Sequence, residues 1–153
     1  MKTVRETVQA LAETFQIGDL ALNDAGQAEI VFGGDVSIYI TQIDDGTLEF
    51  SARLPDINTE DPVVLQSLLR ANGAGERVGP GRFAIDDHKD EVIYCERLTA
   101  ESLSEHRLAE YMTRLVSEVR DLQATFQAEM VKAQATTPAA SGAESHEASI
   151  IRG

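Results

Sequence analysis

Apolar side chains at Val4, Val8, Leu11 and Phe15 recur at intervals of four, three and four, which is one face of a helix with a period of about 3.6 residues. The spacing predicts a helix from about Thr3 to Ile17. Thr3 and Glu6 are separated as in a capping box, and Gly18 can take the left-handed conformation that closes a helix. From Leu20 to Leu54 the period falls to two. The apolar runs there are broken by Asn23-Asp24-Ala25-Gly26, Gly33-Gly34-Asp35 and Asp44-Asp45-Gly46, all of which carry turn chemistry. Ala28, Ile30 and Phe32 alternate with Glu29 and Val31. Val36, Ile38 and Ile40 alternate with Ser37, Tyr39 and Thr41, and Leu48, Phe50, Ala52 and Leu54 with Glu49, Ser51 and Arg53. An antiparallel meander follows, with one greasy face that helices must cover and one mixed face.

Pro55 stops the third strand, and Asp61-Pro62 starts a short helix with an acidic cap and a proline in its first turn. This helix carries Val64, Leu65, Leu68 and Leu69 before Gly73 ends it, and is apolar enough for some of its surface to meet another chain. A glycine-rich connection, Gly73 to Gly81, leads to a strand with Phe83, Ala84 and Ile85. The turn Asp86-Asp87-His88-Lys89-Asp90 then precedes a second strand with Val92, Ile93, Tyr94 and Cys95. Ser102 and Glu105 mark the start of a last helix. Its stripe runs through Leu108, Tyr111, Met112, Leu115, Val119, Leu122, Phe126 and Met130, and at about 1.5 Å per residue it is longer than a small domain is wide. Beyond about Ala133 the chain is rich in Ala, Thr, Ser, Pro and Gly, which predicts a disordered tail. The expected organisation is one α+β domain over residues 1–132 and a tail over 133–153.

Length and composition add little to this pattern, but charge does. The 153 residues hold 26 acidic against 13 basic side chains, a formal net charge of −13. A field of that sign repels phosphate backbones and anionic lipid, so nucleic acid and membrane surfaces are excluded as expected partners. The acidity is read either as solubility alone or as a body suited to basic or aggregation-prone partners. Cys95 is the single cysteine, so nothing calls for an oxidising compartment. The opening Met1-Lys2-Thr3-Val4-Arg5-Glu6 lacks the apolar stretch of a secretory signal, and no run reaches the roughly 18 apolar residues of a membrane span. The expected location is the cytoplasm.

Catalytic chemistry is hard to place on this chain. The three histidines, His88, His106 and His146, fall in a turn, at a helix start and in the tail. No Cys-x-x-Cys, His-x-x-x-His or Gly-x-Ser-x-Gly occurs. Gly73-x-Gly75 lacks the third glycine of a dinucleotide fingerprint, since position 78 is Val78, and it follows a helix where a strand is required. Asp44-Asp45 and Asp86-Asp87 could hold a hard cation, but acidic pairs between strands are far more often turn formers. Cys95, in an apolar strand without a base beside it, reads as an inert thiol. No enzyme, metal or cofactor is expected.

The order helix, meander, short apolar helix, strand pair, long helix, on a small acidic chain, resembles the class I type III secretion chaperones, the Tir chaperone (CesT-like) family. The stretches that carry the resemblance are Val8 to Phe15, Gly46 to Pro55, Leu65 to Asn72, with Leu68-Leu69-x-Ala71-Asn72 as its most telling fragment, and Arg82 to Asp86. The resemblance covers about residues 3 to 130; the Gly-rich loop and the tail depart from it. It implies a homodimer that binds an extended segment near the N-terminus of a secreted effector and keeps it export-competent without ATP. It also brings in the secretion ATPase as a further partner. It assigns Val64, Leu65, Leu68, Leu69, Phe83 and Ile85 to the dimer interface, and Val8, Leu11, Phe15, Val31, Tyr39 and Arg53 to effector binding. For Val8, Leu11 and Phe15, burial against the sheet is an equal reading. Val31 and Tyr39 are more informative, lying on the face that should otherwise be polar. A ligand-sensing or regulatory domain of the same architecture is the alternative, and a small hydrolase or transferase built on the histidines and paired aspartates is a third.

Overall fold

The computed structural model describes residues 3–74, 80–103 and 106–126. The first helix, α1 (Val4–Thr14), starts at the expected capping box: Thr3 Oγ1 accepts from the Glu6 N–H, and the Thr3 N–H donates to the Glu6 carboxylate at 2.7 Å. It ends earlier than the periodicity predicts. Gln16, with φ +55°, takes the left-handed position, and Gly18 is not used for it. The Ile17 N–H still reaches back to the Ala12 carbonyl at 2.8 Å, so a residue with a side chain closes the helix here.

The meander forms as β1 (Gln27–Phe32), β2 (Val36–Gln42) and β3 (Thr47–Leu54). Gly33 and Gly34, both at positive φ, make the first turn without the penalty a Cβ would carry. After α2 (Pro62–Ala74) come β4 (Arg82–Asp86) and β5 (Glu91–Thr99). A single 3-10 turn (Ala100–Ser102) follows, then the last helix, α3, described over residues 106–126. Thr99 caps the 3-10 turn that contains Ser102, so Ser102 does not cap α3. The expected tail, Met130 and most of the glycine-rich connection lie outside the described residues.

All neighbouring strands are antiparallel, in the spatial order β1-β2-β3-β5-β4. The register places Ile30, Ile38, Ile40, Phe50, Ala52, Tyr94 and Phe83 on one face, which joins one core with Leu11 of α1, Leu68 of α2, and Leu108, Met112, Leu115 and Val119 of α3. Each large aliphatic side chain buried there contributes about 1.5–3 kcal/mol. β5 runs four residues beyond Cys95 because Glu96, paired across from Phe50, lies on this covered face. Its carboxylate accepts from the Tyr94 and Tyr111 hydroxyls, both at 2.7 Å, and from the Arg114 guanidinium at 2.9 Å.

Candidate interaction surfaces

The six residues expected at a subunit interface divide by depth. Leu68 is 5% exposed, and Phe83 is buried beside it in the chain's own core. Phe83 also meets the rings of Tyr94 and Phe126 edge-on at 5.8 and 5.4 Å. Val64 and Leu65 are half-buried. Leu69 is 70% exposed and Ile85 is also exposed, as is Val63, again at 70%, which is not among the six. So α2 is not wrapped by its own chain: it sets one apolar side inward and leaves another outside.

The six residues expected to bind effector fall on two sides of the sheet. Val8 and Leu11 are buried under α1, and Phe15 stands edge-on to Phe32 at 5.4 Å. Val8 and Leu11 are thus buried, and Phe15 is half-buried at the margin of the core. Val31, Tyr39 and Arg53 lie on the opposite, uncovered face, with Val31 56% exposed. There the Arg53 guanidinium sits over the Tyr39 ring, 4.7 Å from its centroid, and pairs with Glu91 at 3.8 Å. On the same face Glu49 accepts from Arg82 and Arg97 at 2.9 and 2.7 Å. Cys95 lies under Arg82, and burial pushes its thiol up to about 11, as an inert thiol requires.

The two edges of the sheet differ. On β4 the Asn72 side chain, from the end of α2, accepts from the Phe83 N–H at 2.7 Å and donates to the Phe83 carbonyl at 3.0 Å. One amide thus stands where a neighbouring strand would be, and blocks that edge at the second residue of β4. Among the described residues, β1 has β2 on one side and no strand on the other. The role of Asn72 was not legible, because an asparagine at the end of an apolar helix reads first as a cap.

A groove of about 1440 Å³ runs between α1 and the segment that returns to β1. Ala12, Ile17, Leu20 and Leu22 are half-buried along it, and Arg5, Glu13, Asp24 and Asp45 stand at its rim. Residues 17–22 form neither helix nor strand, although the period of two was read from Leu20 onward; of the residues expected to bind effector, Val8 lines this groove. The paired aspartates serve turns: Asp44 accepts from the Gly46 N–H and Asp86 from the His88 N–H, each at 2.9 Å. Among the described residues no group of three His, Cys, Asp or Glu could hold a metal ion, and no helix is long and apolar enough to cross a membrane.

The model of the Tir chaperone protein (CesT) family matches residues 6–123, from the first turn of α1 into the last turns of α3. The chain belongs to this family. It is a type III secretion chaperone by family, as the order of elements implied. Among solved structures, the Yersinia pestis type III secretion chaperone SycH, in complex with a fragment of YscM2, is 21% identical with a TM-score of 0.59, over 77% of this chain and 98% of that one. The HopA1–SchA chaperone–effector complex gives 13%, 0.62, 77% and 91%. YbjN, a proposed transcription regulator from E. coli, gives 14%, 0.56, 82% and 92%. At these identities the likeness is one of fold. No curated protein sequence matches the chain. The sheet order and the three helices of this CesT-family chain are therefore the family scaffold, and the exposed α2 side chains, the free β1 edge and the α1 groove are what it presents outward.

Proposed function

We propose that this CesT-family chaperone works as a cytoplasmic homodimer that holds an extended segment of a secreted effector, without catalysis or ATP. The family match across every element carries the proposal. The exposed Leu69, Val63 and Ile85 support a subunit interface on the α2 side, because burying them in a second copy removes apolar surface from water. The open β1 edge supports strand addition, in which main-chain hydrogen bonds give affinity and alternate side chains give selectivity. The blocked β4 edge favours β1 as that edge. The secretion ATPase is a further partner in this scheme.

Light scattering tests the dimer. The wild-type chain is expected to be a dimer at micromolar concentration. Leu69→Asp is expected to give a folded monomer, since a charge there is buried only in the assembly. Leu68→Asp is expected to unfold the chain, because its target is the subunit's own core. A well-folded wild-type monomer would remove the interface. Purification from the native bacterium, with the bound protein identified by mass, tests the client: a secreted protein is expected, and a recovered complex without one counts against the reading.

A second reading, a ligand-sensing or regulatory domain, is favoured by the fold shared with YbjN and by the size of the α1 groove. It predicts thermal stabilisation by a small metabolite, and a metabolite screen without hits would weaken it.

A further inference from the structure

We infer that the groove beside α1 selects a cationic client segment, one whose apolar side chains lie along Ile17, Leu20 and Leu22 and whose Lys or Arg side chains reach Glu13, Asp24 and Asp45. The inference rests on the client-holding reading above and specifies the chemistry of what is held.

Some carboxylates are matched within the chain: Glu49 by Arg82 and Arg97, Glu91 by Arg53, Glu96 and Glu118 by Arg114, and Asp35 by Arg120. A carboxylate paired in this way offers little to a ligand. At the groove rim the carboxylates are unmatched and also stand beside an apolar wall. Among the described residues, none of Glu13, Asp24 and Asp45 takes part in an ion pair, and Glu13 accepts only from the neutral Gln9 amide, at 3.2 Å. All three are exposed, and the facing cation on the rim is Arg5 alone among the described residues. Three carboxylates against one guanidinium, beside a half-buried apolar wall, leave a net negative field where the wall lowers the local dielectric. Such a field attracts cations and raises their encounter rate. The overall charge of −13 adds to it at long range. An anionic segment would meet the same wall but be repelled by the rim. The complementary occupant is therefore an extended segment that alternates aliphatic and basic residues.

Three synthetic peptides of one aliphatic pattern, with Lys, Gln or Glu at every intervening position, serve as probes, read by fluorescence anisotropy against the full chain. The Lys peptide is expected to bind tightest and the Glu peptide weakest. The triple variant E13Q/D24N/D45N is expected to weaken the Lys peptide about tenfold, at roughly 0.5 kcal/mol per rim charge, and to leave the Gln peptide unchanged. The control E110Q/D121N/D87N, with the same change in net charge elsewhere, is expected to bind the Lys peptide as wild type does. Equal binding of all three peptides would overturn the charge selection and leave client holding intact. A Lys peptide weakened equally by both triple variants would place the effect in net charge and overturn the groove assignment. No binding of any peptide would remove the client-holding reading as well.

Discussion

A carboxylate on the covered face of a sheet persists only where donors replace its water, and Glu96 has three such donors in Tyr94, Tyr111 and Arg114. Burial, with Glu96 as hydrogen-bond partner, raises both phenols beyond their ordinary range, so they stay protonated donors. Glu96→Ala removes the carboxylate to which Tyr94, Tyr111 and Arg114 all donate at the interface of β5 and α3, while Arg114 keeps Glu118 at 2.6 Å. A loss of about 3 kcal/mol is expected in urea unfolding, and Glu96→Gln, which keeps part of the network, should lose less. Gly81 is a second such point. A Cβ there would run into the Tyr94 ring, so Gly81→Ala is expected to lower stability by about 1–3 kcal/mol through overpacking, read as a lower urea midpoint at unchanged slope. Neither role is legible from the sequence, since the partner of each residue comes from a pairing across strands or from α3.

At the scale of elements, the joints matter more than the elements. Asn72 fastens α2 to β4 through one amide on both backbone groups of Phe83. Asn72→Ala leaves those groups without their partner, and a cost of about 1–3 kcal/mol is expected. It also frees the β4 edge, so the variant should show concentration-dependent association by light scattering, where wild type stops at a defined size. The turn between β1 and β2 is fastened to α3 by Arg120, which donates to Asp35 at 2.8 and 3.2 Å. The helices and strands themselves were readable from period and turn residues. The end of α1 was not, because Gln16 takes a left-handed conformation that composition assigns to Gly18. The full length of β5 was also missed, because a charged residue after four apolar ones reads as the end of a strand.

For the whole molecule, acid is the condition that loosens the contacts made by Asp35 and Asp44. The Arg120 guanidinium holds the Asp35 carboxyl below its ordinary value of 3.8, and the Gly46 N–H does the same for Asp44. A carboxylate lowered on folding stabilises the native state above the unfolded value and loses that contribution as the pH falls through the folded one. Stability is therefore expected to decline below about pH 4, and Asp35→Asn should flatten that decline in thermal melts taken across the acid range. The same scale sets what each kind of information could give. The alternation of apolar and polar positions determined the helices, the meander and the greasy face, because burying that face is the main free-energy gain of folding. The order of elements and a few apolar phrases were enough to point to the family. The tertiary structure decided which apolar residues are spent inside: Leu68, Phe83, Val8 and Leu11 are buried, while Val63, Leu69 and Val31 are left outside. It also decided which edge is blocked and which carboxylates go unmatched. Those outcomes depend on what stands across from a side chain in space, and neighbours along the chain do not specify that.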